Sequence, residues 1–266
     1  MTWELILLII LVFGVAFIYS NLGLGGGLLY VPIMLSLAFT GPGAEDIAVP
    51  VSLTFTTATG ISATFNHYEK GFVNFRLAGL LITGALIGAV VGAFFNLSTS
   101  KPVFLALFIT VIVLMGIKML NDWRKNERKE DENDDSKMTK KRKGAAATGT
   151  LASGFTSGSL GIGGGLVNVP LMVYVLGRGT RYAIGTSSAM IIATSIFGFL
   201  SYIWLKPSLA IDYNLIMILW PIVFIGAFVG SRWGLRKLKT RSVALIFILV
   251  LFVAAGKMMV DLILGT

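Results

Sequence analysis

The sequence predicts an all-α polytopic membrane protein, built from two inverted-topology repeats of five helical segments each. Composition is the first reason: of the 266 residues, 55% are hydrophobic and 13% are charged, which is too little charge for a water-facing surface. Uncharged runs such as 77–100 and 182–205 also exceed the roughly 20 helical residues that cross a bilayer core. A duplicated motif and the positions of the basic residues supply the other two reasons.

The duplicated motif contains three consecutive glycines in an apolar setting. "NLGLGGGLLYVPIM" runs from Asn21 to Met34, and "SLGIGGGLVNVPLM" runs from Ser159 to Met172. The similarity continues further along, where Gly88–Gly92 matches Gly226–Gly230. The chain therefore reads as a duplicated helical unit.

The repeats divide the chain into a membrane repeat at 1–121, a charged linker at 122–144 and a second membrane repeat at 145–266. A mixed run of acids and bases such as "RKNERKEDENDDSKMTKKRK" is typical of a solvated linker. The predicted helical segments of the first repeat are 3–20, 28–39, 46–66, 77–96 and 103–121. Those of the second repeat are 145–160, 166–177, 182–204, 214–235 and 242–264.

The basic residues indicate the orientation, because cytoplasmic loops are enriched in Lys and Arg. With the linker inside, the loops 67–76, 178–182 and 232–241 are also inside and carry nearly all of the loop arginines and lysines. A scheme of four spans per half would place the 232–241 cluster outside. Charge therefore favours five segments per half, with both termini outside.

Segments 2 and 7 are short, which predicts glycine-broken or re-entrant helices at segments 1–2 and 6–7. About 12 residues give about 18 Å of helix, too little to cross the membrane alone. A helix that begins inside the membrane presents free N–H groups and the positive end of its dipole to an anion. Two such breaks facing each other match the usual plan of a secondary-transporter site. The alternative is that the glycines serve only close helix packing.

These motifs resemble the TauE/SafE, or sulfite exporter, family of membrane transporters. The resemblance lies in the doubled Gly-h-Gly-Gly-Gly pattern, in "AIGTSSA" at Ala183–Ala189 and in "HYEKGFVN" at His67–Asn74. The first repeat departs from it, with "AVPVS" where the second has "AIGTS". The resemblance implies gradient-driven export of sulfite, organosulfonates or related sulfur compounds.

The candidate substrate-binding residues are the motif glycines and polar side chains at matched repeat positions. Ser52 and Ser187 match and are predicted anion donors, with Thr186 next, while Asn21 and Ser159 precede the breaks and either cap them or meet substrate. His67, the one histidine, either caps a helix end or couples protons, since its pKa lies near neutrality. The glycines in the predicted site are Gly25, Gly26, Gly27, Gly163, Gly164 and Gly165.

The predicted function is a multi-pass inner-membrane transporter that exports small anions, with no cofactor, no metal and no nucleic-acid partner. The main alternative is an anion channel. An enzyme is not expected, although an intramembrane serine hydrolase would follow if Ser187 or Ser188 met His67. The partners are a small anion and membrane lipids. Exact substrate, coupling ion and oligomeric state stay open.

The predicted orientation is testable because the chain contains no cysteine. In Asp134→Cys and Thr266→Cys variants, an impermeant thiol reagent applied to intact cells should label position 266 and spare position 134. Labelling of position 134 from outside would reverse the orientation.

Overall fold

The computed structural model describes residues 2–39, 41, 43–125, 139–237, 252–260 and 262–263. These residues are overwhelmingly helical and contain no β-strand. The helices of the first half are α1 Thr2–Tyr19, α2 Gly27–Leu37, α3 Ala44–Tyr68, α4 Phe75–Leu97 and α5 Lys101–Lys125. Those of the second half are α6 Lys140–Leu160, α7 Gly165–Pro170, α8 Thr180–Leu205 and α9 Tyr213–Lys237, and α7 continues as the π-helical segment Leu171–Val175. Residues 252–260 are also helical.

The observed helices follow the predicted segments closely. At the predicted linker, α5 continues to Lys125 and α6 begins at Lys140, so both ends of 122–144 are helical. Residues 126–138 of that linker, residues 238–241 of the predicted loop 232–241, and residues 242–251, 261 and 264 of the predicted segment 242–264 lie outside the described residues. The all-α membrane architecture is confirmed, whereas the domain division and the inverted orientation of the repeats stay predictions.

Four of the described helices are long and apolar enough to cross a membrane: α3, α4, α8 and the Tyr213–Trp233 part of α9. Of these, α3 is the most deeply buried, while α4 and α9 expose much of their apolar surface. Large side chains such as Ile87, Phe94 and Met217 face outward. Lipid is the solvent that such a surface requires. The buried α3 therefore forms the centre of the molecule.

Close glycine contacts join helices of one half to helices of the other. On α4 and α9, a Cβ at any of four glycines would come under 3 Å from a backbone carbonyl oxygen of α6 or α1. Small residues allow backbones in membranes to approach in this way. The four pairs occupy equivalent positions in the two repeats: Gly88 with Leu151, Gly92 with Phe155, Gly226 with Phe13, and Gly230 with Phe17.

Loops predicted to share one side of the membrane lie at one end of the molecule. The Arg181 guanidinium lies 5.7 Å from the centre of the Phe72 ring, which joins the 178–182 loop to the 67–76 loop. At the other end, Lys206 Nζ lies 2.7 Å from Asp46 Oδ2. The pairing agrees with the sidedness that charge predicts, and which end faces the cytoplasm stays a prediction.

Two glycines of α4 should respond in opposite directions to the same substitution. Gly88→Ala places a Cβ against the Leu151 carbonyl and should destabilise the protein by about 1–3 kcal/mol. Gly79→Ala meets nothing within 4 Å and should stabilise by about 0.5–1 kcal/mol, because alanine favours helix. Thermal unfolding in detergent measures both. Equal melting temperatures would show that the α4–α6 contact is looser than described.

Candidate substrate site

Two breaks in the helical backbone lie where the sequence places the glycine motifs. Each break contains three glycines of positive φ, a left-handed backbone conformation that residues with a Cβ rarely adopt. The first has φ values of 64°, 82° and 95° at Gly23, Gly25 and Gly26, and the second has 70°, 83° and 76° at Gly161, Gly163 and Gly164. The sequence folds this way because glycine removes the steric cost of the turn. Both breaks are buried.

The two breaks touch each other inside the molecule. A Cβ at Gly27 would overlap the Gly161 carbonyl oxygen, and a Cβ at Gly165 would overlap the Gly23 carbonyl oxygen. These two glycines therefore serve close packing between breaks. The contact is reciprocal, because the start of α2 meets the Gly161 carbonyl and the start of α7 meets the Gly23 carbonyl. We call this contact the crossing.

Two serines hold the crossing from opposite halves. Ser52 Oγ on α3 donates to the Gly161 carbonyl at 2.9 Å, and Ser187 Oγ on α8 donates to the Gly23 carbonyl at 2.9 Å. A carbonyl freed by a helix break inside a membrane needs such a donor. The predicted pair is thus brought to the crossing, with each donor directed at a backbone carbonyl. Their role as anion donors stays a prediction.

The helices that begin at the crossing start with N–H groups that have no acceptor in their own helix. The first bonds of α2 run from the Leu29 and Tyr30 N–H groups to the Gly26 carbonyl. The N–H groups of Gly27 and Leu28 therefore have no acceptor within their own helix. The start of α7 repeats this arrangement, with Val167 and Asn168 bonded to the Gly164 carbonyl.

Asn21 and Ser159 satisfy carbonyls of the helices that precede the breaks. Asn21 Nδ2 donates to the Phe17 carbonyl at 3.0 Å, and Ser159 Oγ donates to the Phe155 carbonyl at 2.6 Å. The two bonds are equivalent in the two repeats. Both side chains thus bond the preceding turn of the chain, and their roles in capping or in substrate contact stay predictions.

Thr186 and His67 contact backbone away from the crossing. Thr186 Oγ1 accepts from the Asn74 N–H at 3.1 Å, which ties α8 to the loop before α4. His67 Nε2 lies 3.4 Å from the Ser20 carbonyl. Its repeat equivalent, Tyr202, donates to the Gly158 carbonyl at 2.8 Å. Substrate contact by Thr186 and proton coupling by His67 stay predictions.

Thr56 and Ser195 also lie at the crossing, although matching of the repeats does not select them. The Thr56 methyl group packs against both Gly25 and Gly163, and Ser195 Oγ lies 3.2 Å from where a Cβ at Gly163 would stand. Their repeat equivalents are Ile191 and Gly60, which carry no hydroxyl. The sequence feature that could have selected these two residues is a hydroxyl group within an apolar helix.

Among the described residues, no group of three or more His, Cys, Asp or Glu side chains lies close enough together to hold a metal ion. Beside the Gly23 and Gly161 carbonyls, the polar groups at the crossing are hydrogen-bond donors, namely side-chain hydroxyls and backbone N–H groups. Such groups bind oxyanions through hydrogen bonds.

Residues 8–258 match the family described as "Sulfite exporter TauE/SafE". The chain belongs to the TauE/SafE family. Among curated relatives, this TauE/SafE protein is 27% identical to the "Probable membrane transporter protein YunE" of Bacillus subtilis, over 87% of the chain and 89% of the relative. It is 28% identical to YdhB of the same organism, also a "Probable membrane transporter protein", over 85% and 89%. A third relative, "Probable membrane transporter protein MJ0441" of Methanocaldococcus jannaschii, is 28% identical over 86% and 85%. No solved structure matches the chain.

These comparisons confirm the family resemblance and the prediction of a multi-pass membrane protein. They make this TauE/SafE chain a member of a membrane transporter family. They leave the substrate and the site residues as proposals.

Loss of either serine hydroxyl should loosen the crossing. Ser52→Ala or Ser187→Ala leaves a buried carbonyl without its donor and should cost about 1–3 kcal/mol of stability. Ser188→Ala is the matched control, because Ser188 Oγ bonds the Ile184 carbonyl of its own helix. Thermal unfolding compares the three variants. If all three melt alike, the serines do not hold the breaks.

Proposed function

We propose that this TauE/SafE protein is a secondary transporter that exports small anions, such as sulfite or organosulfonates, across the inner membrane. The observation that supports this most is the crossing itself, where two helix breaks from different halves meet inside a transporter-family protein. Alternating access needs a central site to which both halves contribute. The crossing offers such a site.

An anion is the substrate that the polar groups at the crossing fit best. The N–H groups at the starts of α2 and α7 are donors without intrahelical acceptors. Anionic oxygens accept from such groups, and a helix start favours negative charge. The name of the family includes sulfite, whereas the names of the relatives mention only membrane transport.

The tight contact between the breaks favours a carrier over a channel. Gly27 and Gly165 pack directly on the opposite break, so substrate passage requires the halves to move. A conducting pore requires an open path. The serine hydrolase alternative is disfavoured because the Ser187 and Ser188 hydroxyls donate to carbonyls, while His67 lies against the Ser20 carbonyl.

Flux measurements test the proposal. Proteoliposomes loaded with labelled sulfite or isethionate should release label in a saturable way, and faster when the same anion without label is supplied outside. A carrier gives this exchange because its site returns faster when occupied. Liposomes without protein provide the baseline.

Planar-bilayer recording separates the alternatives. Steady anion conductance without saturable exchange would make the protein a channel. Absence of any anion flux in both assays would overturn the proposed function.

A further inference from the structure

The two halves differ sharply at two pairs of equivalent positions beside the breaks. In the first half, Tyr19 and Tyr30 are both fully buried. The Tyr30 ring packs on Gly26, and its hydroxyl shares a 2.9 Å hydrogen bond with Thr59. Two tyrosines thus fill this region of the first half.

The second half carries two small polar residues at the same positions. Alignment of the glycine motifs pairs Tyr19 with Ser157 and Tyr30 with Asn168. Both Ser157 and Asn168 are fully buried. Within the described part of the chain, Ser157 Oγ and both amide atoms of Asn168 have no hydrogen-bond partner. Because both atoms of the amide are unpaired, a flipped amide would not change this.

Two further unpaired hydroxyls lie at the same break. Thr56 and Ser195 both approach Gly163, both are fully buried, and the described residues provide no partner for Thr56 Oγ1 or Ser195 Oγ. Asn168 is linked to this break through its N–H bond to the Gly164 carbonyl, and the Ser157 carbonyl accepts from the Gly161 N–H.

Unpaired polar groups are costly in a buried, apolar environment, and native structures pair nearly all of them. At the matched serines the rule holds, because the hydroxyls of Ser52, Ser187 and Ser159 each donate to a backbone carbonyl. Four unpaired side chains lie around the second break, and their repeat counterparts are two tyrosines, Ile191 and Gly60. This grouping points to a ligand.

We propose that Thr56, Ser157, Asn168 and Ser195 form a one-sided binding site for a small oxyanion that also carries an O–H or N–H donor. The three hydroxyls and the amide N–H₂ donate to the anionic oxygens. The Asn168 amide oxygen only accepts, so the ligand must offer it a hydrogen. This inference rests on the proposed function, and it names which of the two breaks holds the substrate.

A matched pair of ligands tests the donor requirement. Isethionate and ethanesulfonate share a sulfonate and a two-carbon chain, and only isethionate has a hydroxyl group. The purified full chain should bind isethionate about tenfold or more tightly, and Asn168→Ala should abolish the difference. Hydrogen sulfite tests the inorganic source of the same chemistry, and sulfate, which lacks a donor, should bind weakly.

Variants test the residues. Thr56→Val keeps the side-chain shape, and with Asn168→Ala and Ser195→Ala it should weaken binding by about tenfold or more, as expected for a lost hydrogen bond to a charged group. Ser188→Ala and Tyr30→Phe are the controls and should bind as wild type per folded molecule, with folding followed by thermal unfolding.

The outcomes distinguish an error in this binding site from an error in the proposed function. Wild-type binding with unchanged affinity in Thr56→Val, Ser195→Ala and Asn168→Ala overturns this site and leaves the proposed function standing. Equal loss in Tyr30→Phe would contradict the one-sided arrangement. Failure of the wild type to bind or transport any of these anions overturns the proposed function and, with it, this inference.

Discussion

The structure depends on how two broken helices satisfy each other inside an apolar environment. A break frees backbone groups that lipid cannot pair, so it persists only where protein supplies the partners. Here Ser52 and Ser187 each provide a donor to the break of the other half. Gly27 and Gly165 permit the contact because neither has a Cβ. Ser52 on α3 and Ser187 on α8 therefore lie in the middle of the protein, and the outer helices pack around α3 and α8.

The two repeats share the contacts that hold the helices together, and they differ in polar side chains beside the breaks. Equivalent glycines join α4 to α6 and α9 to α1, and equivalent side chains bond the carbonyls before each break. Where the repeats diverge, the first half has Tyr19 and Tyr30, and the second has Ser157 and Asn168. Bulky tyrosines beside one break and small polar side chains beside the other suit a carrier that holds a small anion at one place while its two halves move.

Sequence predicted the helices and the breaks well, because apolar length and glycine conformation are local properties. It did not predict hydrogen-bond partners, since a serine in a helix can bond its own turn or a neighbouring segment. Ser187 and Ser188 are adjacent, yet one reaches the Gly23 carbonyl and the other bonds its own helix. Thr56 escaped selection for a different reason: repeat matching favours shared residues, and its equivalent is Ile191.

If substrate meets the protein at the crossing, amide hydrogen exchange should detect it there. Exchange of the purified protein, measured by mass spectrometry with and without saturating hydrogen sulfite or isethionate, reports protection at each segment. We expect amide exchange to be slower in residues 21–30 and 159–168 when the anion is bound. The decrease in rate should be larger in 159–168, and exchange in α4 should not change. Binding that leaves both segments unchanged, or that protects only residues far from them, would contradict it.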